Sequence, residues 1–481
     1  MQPLLKTVPP FARFRIVIRN PTLLMYLGFV GVVLLVPQWT VDDAYITLRY
    51  ARNLVEHGSL VWNVGDMPPV EGYTGLVWPL IAAALMWMQI DPVVGLDVIS
   101  YGCTFVMPGI FWLVLKELGA SEPQRRVGLA LLLIGPWWGM HAGSGLETML
   151  FTVELLVCVW AWLRRSAWVP LLLLLSALTR PEGVAFAVVL FGASWWRGER
   201  RIGNWLGLFV LPGALYFAWR WHYYGQLLPN TFYVKGNGGR SSWLDVAQLL
   251  AAVILLPLLA WRASRPRTAL LSPVRGLVVG LLALMSGLLI FYGQSELMMN
   301  YEHRFFVPFL PLLWLMLVAT WGDVTWHNSY GLGYAILCVV TWVGVGTTTA
   351  NYAYMLRSEH APAAAWIHEH IVPTATLLVI VDAGWVPWAT DLRTIDGGAL
   401  NDAYLAHERD SGKSVDYLFA QQPTVVLLAT GNLGSSAAEP IRRALLADRR
   451  WQTGYTLMRD FQRAEFNYHQ QIWVRNGTSL R

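Results

Sequence analysis

Two adjacent carboxylates, Asp42 and Asp43, follow directly on a long apolar run from Pro21 to Trp39. A carboxylate close to lipid is costly, so it is rarely placed there without a partner or a chemical task. One such task is that of a general base, which takes a proton from a reacting hydroxyl group. The alternative is that both side chains only cap a following helix and complement its dipole.

The residues after this pair have the period of an amphipathic helix. Ile46, Tyr50 and Leu54 recur every four residues, as on one face of a helix. Gly58 supplies a stop signal. We therefore expect a helix that begins at Asp42 and lies on the membrane surface.

Positively charged side chains recur at the ends of later apolar segments and in the loops between them. Such groups could hold a phosphate leaving group, on which negative charge develops in the transition state. The candidates for this phosphate site are Arg180, Lys235, His303 and Arg304. Each also has a structural alternative: Arg180, for example, precedes a proline that ends a helix, and Arg304 opens an apolar run as interfacial anchors do.

The composition is that of a polytopic α-helical membrane protein. Of the 481 residues, 55% are hydrophobic and only 14% are charged, against roughly 25% charged in soluble domains. The net charge of +5 reflects the asymmetry of loops rather than a nucleic-acid partner, since no basic patch is interleaved with aromatics. The three cysteines lie in apolar segments, far apart, and we expect them to be reduced packing residues. We expect the first apolar run to be an uncleaved first helix.

The segments and the positive charges between them predict the topology. Twelve apolar segments are apparent, at about 22–39, 74–90, 94–116, 127–141, 148–163, 167–179, 183–196, 203–219, 245–261, 272–292, 305–321 and 330–348. All basic clusters fall on the cytoplasmic side only if 74–90 lies in the outer interface instead of crossing. We therefore predict about 11 transmembrane helices in residues 1–350, with an outer loop at about 40–73. The polar motifs then lie on the extracytoplasmic side of a bacterial plasma membrane.

A small extracytoplasmic α/β domain is predicted for residues 351–481, where charged residues become common. Strand-like runs lie at Thr376–Val381 and Thr424–Ala429, with a weaker one at Gln471–Val474. The turns at Asp382 and Asp396 both lie between the first two of these runs, and we expect them to be structural.

Several motifs of soluble enzymes do not occur in the sequence. It contains no phosphate-binding glycine loop, no His-Glu-x-x-His, no Cys-x-x-Cys and no Gly-x-Ser-x-Gly. A nucleotide-fuelled cytosolic enzyme is therefore disfavoured. An outward carboxylate pair with outward cations suits transfer from a lipid-linked phosphate, which needs no nucleotide.

The polar motifs resemble those of one family. Asp42–Leu54 followed by Glu71-Gly72-Tyr73-Thr74 resembles the first outer loop of the glycosyltransferases of the GT-C fold class. Within that class the similarity is greatest to the branch that contains the terminal arabinofuranosyltransferase of mycobacterial cell walls. Further motifs recur in the same order, namely Gly145–Thr148, Leu178–Gly183, Tyr224-Gly225 with Pro229-Asn230-Thr231, and Asp396–Asp402.

This resemblance implies an inverting transfer from a polyprenyl-phosphate sugar, such as an arabinofuranose, to a hydroxyl of an extracytoplasmic glycan or protein. It places the general base at Asp42 or Asp43; we expect Asp42 as the base and Asp43 as an orienting group, although the order could be reversed. Substrate-binding residues are expected at Tyr45, Arg49, Glu71, Tyr73, Glu147 and Asn230.

Two other functions and the question of a metal stay open at this stage. A transporter or flippase of lipid-linked sugars would need polar groups at mid-membrane or on both sides, whereas the polar motifs here are one-sided. A non-catalytic envelope-assembly protein would work through its outer domain, and the acidic pair would be dispensable. No cofactor is expected, but Asp42 and Asp43 could hold a divalent ion.

Overall fold

The computed structural model of the chain describes most of its residues. The described ranges are 21–235, 247, 275–294, 303–320, 328–408, 410–431, 438–463 and 468–481. Except for residue 247, the predicted apolar segment 245–261 lies outside them.

Helices dominate the first 355 residues. They are α1 Pro21–Leu35, α2 Asp42–His57, α3 Val77–Trp87, α4 Pro92–Glu117, α5 Glu122–Ile134, α6 Trp137–Ala142, α7 Thr148–Leu163, α8 Val169–Thr179, α9 Glu182–Trp196, α10 Ile202–Tyr224, α11 Asn230–Lys235, α12 Arg275–Gly293, α13 Leu310–Thr320 and α14 Asn328–Met355. Among the described residues, three helices are long and apolar enough to cross a membrane, namely Pro92–Glu117, Ile202–Tyr224 and Gly276–Gly293. Six shorter helices are also apolar. The number of about 11 transmembrane helices stays a prediction.

One predicted segment is divided in two. The apolar run 127–141 contains the end of α5 and the short helix α6, with Gly135 and Pro136 between them. Gly135 is extended, with φ −61° and ψ 128°, because a residue before proline avoids the helical region. The proline also has no N–H with which to continue the hydrogen bonds of α5.

Helix α2 begins and ends where the sequence predicts. It runs from Asp42 to His57, and Gly58 closes it in the left-handed conformation, with φ +68°. Its apolar face does not lie on lipid as expected: Ile46 and Tyr50 are buried in one core with the strands of the C-terminal domain. Another face, with Leu48 and Ala51, packs on α3. Protein therefore covers both apolar faces, and the position of this helix at the membrane surface stays a prediction.

Helix α3 corresponds to the segment predicted to lie in the outer interface. Its 11 residues span about 16 Å, which is far less than the roughly 30 Å of a bilayer core. It packs against α2 and α4. This length agrees with a helix that does not cross the membrane by itself.

The polar motifs and the basic turns lie at opposite ends of α7. Glu147 precedes this helix and Arg164 follows it, and its 16 residues span about 24 Å. At the end near Arg164, the basic turns meet: Arg201 donates a hydrogen bond of 2.7 Å to the carbonyl oxygen of Arg165. The polar motifs meet at the other end, as described below. Which end faces the outside stays a prediction.

The C-terminal domain follows α14 without a linker. A π-helical turn, Leu356–His360, continues α14 into α15, Ala361–His370. The predicted boundary at residue 350 therefore lies inside one continuous helical run. After it come β1 Thr376–Ile380, α16 Trp385–Thr390, β2 Arg393–Asp396, α17 Ala403–His407, α18 Ser411–Ala420, β3 Val425–Gly431, α19 Glu439–Ala447, α20 Arg449–Gly454, β4 Tyr455–Arg463 and β5 Tyr468–Arg475.

The five strands form one mixed sheet in the order β2-β1-β3-β5-β4. Strands β2, β1 and β3 are parallel, while β5 is antiparallel to both of its neighbours. The chain leaves the carboxyl ends of β1 and β2 at Asp382 and Gly397. The segments that follow these two ends contact α2 and α11, so this edge of the sheet faces the polar motifs.

Candidate functional site

Two adjoining cavities lie where the polar motifs meet. The apolar cavity has a volume of about 340 Å³ and is lined mainly by α12, α11 and the residues around Phe305. The polar cavity, of about 70 Å³, lies between α2, the segment 72–75 and Leu400. Five residues line both cavities, and we call this shared boundary the neck: Thr74, Glu147, Thr231, Lys235 and Arg304.

Besides Glu147, the polar cavity is lined by the carboxylate of Asp43. Its side chain is 17% exposed, and its Oδ2 atom lies 3.9 Å from Nη1 of Arg304. Burial raises the pKa of Asp43 above its ordinary value, although Arg304 and Lys235 act to lower it. A carboxylate with a raised pKa beside an open cavity is suited to accept a proton.

Asp42 has a different environment, although it is the next residue. It is 1% exposed and lines neither cavity. Its two carboxylate oxygens accept hydrogen bonds from the backbone N–H groups of Gly384, at 2.8 Å, and Trp385, at 2.7 Å. Burial raises the pKa of Asp42 to about 7. The C-terminal domain occupies both oxygens of Asp42. Asp43 is therefore better placed than Asp42 to act as the base, which is the reverse of the expected order.

The simple capping alternative does not describe either residue. The N-cap of α2 is Val41, and no side chain caps this helix. Asp42 instead accepts from the first backbone N–H groups of α16, more than 340 residues away along the chain. It therefore joins the transmembrane module to the C-terminal domain.

The arginine of the α8–α9 turn is fully paired. Arg180 donates to Glu182 at 2.7 Å and to Glu147 at 3.0 Å, and it lies over the rings of Phe151 and Phe305. Tyr292 donates to Glu182 in turn. With its donors engaged, Arg180 is placed to hold Glu147 and Glu182 rather than to bind a ligand.

Of the cations that line the two cavities, Lys235 and Arg304 have donors to spare. Lys235 makes no hydrogen bond or ion pair with the described residues, and its Nζ lies 5.2 Å from the ring centre of Phe305. Arg304 has no hydrogen-bond acceptor for Nε or Nη1 in the described part of the chain; its ion pairs with Asp43 and Glu147 are both 3.9 Å long. Burial lowers the pKa of Lys235 to about 8, and the nearby positive charge of Arg304 makes a further contribution. An anion in the neck would satisfy these donors.

His303 lines neither cavity. It has a left-handed backbone, with φ +61°, and immediately precedes Arg304. Its place in the predicted phosphate site is therefore not supported by the cavity lining.

Four predicted substrate-binding side chains instead hold the protein together. Tyr45 packs between Trp385 and Trp388, with ring centres 5.0 and 5.3 Å away. Arg49 donates to the carbonyl oxygens of Pro387, at 2.6 Å, and Leu392, at 2.7 Å. The structure does not bring these four, Tyr45, Arg49, Glu71 and Asn230, together with the cavities, because none of them lines either one.

The side chains of Glu71 and Asn230 also have partners within the protein. Glu71 forms a buried ion pair of 2.5 Å with Arg220. Asn230 donates to the carbonyl oxygens of Ala399, Leu400 and Asp402. Tyr45, Arg49 and Asn230 thus hold the C-terminal domain against the N-terminal helices, and Glu71 holds its loop to α10.

The remaining two predicted residues do face the cavities. Tyr73 lines the polar cavity, and its hydroxyl lies 3.0 Å from that of Tyr224. Glu147 lies in the neck, between Arg180 and Arg304. Thr231 and Phe305 were missed, yet each had a signal: Thr231 lies one helical turn before Lys235, and Phe305 follows Arg304 directly.

No group of three or more His, Cys, Asp or Glu side chains is arranged to hold a metal ion in the described part of the chain. The Asp pair is also unsuited to share an ion, because the Asp42 oxygens accept backbone N–H groups. Metal independence itself stays a prediction.

Comparisons with known proteins agree with this architecture. The family described as a domain of unknown function, DUF8728, matches residues 350–475. The terminal β-(1→2)-arabinofuranosyltransferase of Mycobacterium tuberculosis is 29% identical over 236 residues, which are 42% of this chain and 36% of that enzyme. The chain therefore matches about a third of the length of this relative.

Solved structures show the same fold over nearly the whole chain. ArnT from Cupriavidus metallidurans bound to undecaprenyl phosphate has a TM-score of 0.56 at 12% identity, covering 98% of this chain and 99% of ArnT. ArnT in the apo state has the same TM-score and identity, covering 96% and 98%. The similarity to GT-C glycosyltransferases that the motifs indicated is confirmed.

Proposed function

We propose, from the GT-C fold and the two cavities, that the chain is an inverting glycosyltransferase that moves a sugar from a polyprenyl-phosphate donor to an acceptor hydroxyl. One observation carries this proposal: an apolar cavity of about 340 Å³ meets a polar cavity at a neck that contains Lys235 and Arg304. The polar cavity also contains a carboxylate, Asp43. These parts match a hydrocarbon tail, a phosphate and a reacting hydroxyl, in that order.

The apolar cavity would receive the tail of the donor. Leu288, Phe291 and Phe232 contribute to its lining, and such a surface gains free energy when it buries hydrocarbon. The phosphate would then lie in the neck, where Lys235 and Arg304 have unused donors. The binding of undecaprenyl phosphate by ArnT, which has the same fold, supports a polyprenyl-phosphate ligand.

The transfer would be a single displacement. The oxygen of the acceptor hydroxyl bonds to the anomeric carbon of the sugar, and Asp43 takes the proton of that hydroxyl at the same time. The bond from that carbon to the phosphate oxygen breaks, and polyprenyl phosphate leaves with one more negative charge. Lys235 and Arg304 stabilise this charge, which is larger in the transition state than in the bound donor.

Arabinofuranose is the first sugar to test, because the sequence is similar to a terminal β-(1→2)-arabinofuranosyltransferase. The acceptor would be an extracytoplasmic glycan or protein, and the site would lie on the outer side of a bacterial plasma membrane. The choice of sugar, acceptor and side of the membrane rests on this similarity and on the charge distribution of the loops.

The direct test uses the full chain in lipid nanodiscs with synthetic polyprenyl-phosphate arabinofuranose of long and short chain. We expect transfer to an arabinofuranose oligosaccharide acceptor, with inversion at the anomeric carbon. Leu288→Trp, which fills the apolar cavity, should raise the KM for the long-chain donor more than for the short one. Val279→Trp is the matched control, since Val279 is on the same helix but is exposed and outside both cavities. Transfer from no polyprenyl-phosphate sugar, with a folded protein, would favour the transport or assembly alternatives.

A further inference from the structure

Two tyrosine rings of the C-terminal domain form a flat surface next to the site. Tyr404 on α17 and Tyr417 on α18 stack with ring centres 4.4 Å apart and an angle of 24° between the planes. Tyr404 is 42% exposed. Tyr417 donates a hydrogen bond of 2.9 Å to Oδ2 of Asp402, which fixes the position of the Tyr417 ring. The pair is therefore a rigid aromatic platform, and part of the Tyr404 side chain is open to solvent.

Carboxylates surround this platform. Glu408 accepts from the Tyr404 hydroxyl at 3.5 Å. Asp66 and Arg393 form an ion pair of 3.0 Å and are 40% and 41% exposed. Burial and Asp402 raise the pKa of Tyr417, with a smaller contribution of the same sign from Asp66, while Arg393 acts to lower it. Arg393 also donates a hydrogen bond of 3.2 Å to the side chain of Gln421, one helical turn after Tyr417, which places this ion pair near the platform. Carboxylates accept hydrogen bonds from neutral hydroxyl groups, so these side chains suit a ligand that is rich in hydroxyls.

The platform is connected to the polar cavity by a short segment. Leu400 lines that cavity, and the four residues from there to Tyr404 span at most about 14 Å. Asn230 of α11 holds this segment through the carbonyl oxygens of Leu400 and Asp402. His407, at the end of α17, packs on Tyr233 of α11 with ring centres 4.5 Å apart. The platform thus has a fixed position relative to Lys235, which is also on α11.

We propose that the Tyr404–Tyr417 platform binds the sugar units of a neutral glycan acceptor that adjoin the glycosylated hydroxyl. The apolar C–H face of a sugar ring packs on the exposed tyrosine, while its hydroxyls donate to Glu408 and Asp66. This inference rests on the proposed function and names the acceptor class within it. A protein acceptor is the competing outcome.

The test compares the wild type, Tyr404→Ala and Tyr404→Phe with arabinofuranose oligosaccharides, a disaccharide and longer homologues. Loss of the ring should raise the KM for long acceptors roughly 2- to 10-fold, with the donor KM and the disaccharide KM unchanged. Tyr404→Phe, which keeps the ring, should behave as the wild type. An equal effect on all acceptor lengths, no effect of Tyr404→Ala, or preferred use of a peptide acceptor would each overturn the proposal.

A binding measurement separates this proposal from the proposed function. Saturation-transfer NMR with the longest oligosaccharide reports contact without any transfer reaction. If the wild type transfers no sugar yet binds the oligosaccharide, and Tyr404→Ala does not bind it, the platform stands and the proposed function fails. If transfer occurs and both proteins bind the oligosaccharide equally, the function stands and the platform proposal fails.

Discussion

The carboxylates of Asp42 and Asp43 serve two different parts of the molecule, although the residues are neighbours in the chain. That of Asp42 accepts hydrogen bonds from Gly384 and Trp385 of the C-terminal domain. That of Asp43 lines the polar cavity, 3.9 Å from Arg304. Successive residues of a helix differ by about 100° in direction, so one helix presents both groups. The acidic motif thereby couples the position of the C-terminal domain to that of Asp43.

This coupling predicts a strict requirement for glycine at position 384. A Cβ atom there would lie 1.8 Å from the carbonyl oxygen of Asp42, so Gly384→Ala must displace α16 from α2. We expect a lower Tm, faster proteolysis of the C-terminal domain and loss of transfer. Gly454→Ala is the matched control, because a Cβ atom at Gly454 meets nothing within 4 Å. Equal behaviour of the two variants would contradict the proposed contact.

The two arginines that line the apolar cavity should differ in their effects. Removal of Arg180 takes the guanidinium from the buried carboxylate of Glu182 and leaves Glu147 with only its 3.9 Å ion pair to Arg304. Loss of one partner of a buried ion pair costs roughly 3–5 kcal/mol of stability. Arg304→Ala should keep the fold but weaken donor binding about 10- to 100-fold, because a charged hydrogen bond to phosphate is lost. Thermal unfolding and donor binding, measured on both variants, distinguish these roles. A stable Arg180→Ala protein that fails to bind donor would reverse the assignment.

Lys235 should give the reaction an alkaline limit. Its pKa is lowered to about 8, so the side chain is charged below that pH and loses its charge as the pH rises through it. The kcat/KM for the donor, which reports the free enzyme, should therefore fall above about pH 8. Lys235→Arg stays charged and should move this limb to higher pH. An unchanged limb in that variant would show that another group titrates.

The sequence predicts the helices well where length and hydropathy decide. The segment 148–163 coincides with α7, and Asp42 and Gly58 mark the two ends of α2 as predicted. Strand β2 was missed because it has only four residues. Strand β4 was missed because most of its side chains are polar or exposed, which leaves little hydrophobic alternation to detect.

The site was predictable as a set of motifs but not as a set of roles. Arg49 and Arg304 are both cations close to apolar segments, yet Arg49 is enclosed by carbonyl oxygens more than 330 residues away. Asp42 is likewise occupied by Gly384 and Trp385. Contacts over such separations depend on how the C-terminal domain docks, which local pattern does not contain. Only the docked structure shows which polar groups remain available to a ligand.

The most direct test of the account is sugar transfer by Asp43→Asn and Asp42→Asn, measured per folded protein beside the wild type. We predict that Asp43→Asn lowers the transfer rate roughly 10²- to 10⁴-fold, with donor binding and Tm unchanged. Asp42→Asn should lower the Tm while the folded fraction still transfers sugar. If Asp42→Asn abolishes transfer at an unchanged Tm while Asp43→Asn stays active, Asp43 is not the general base.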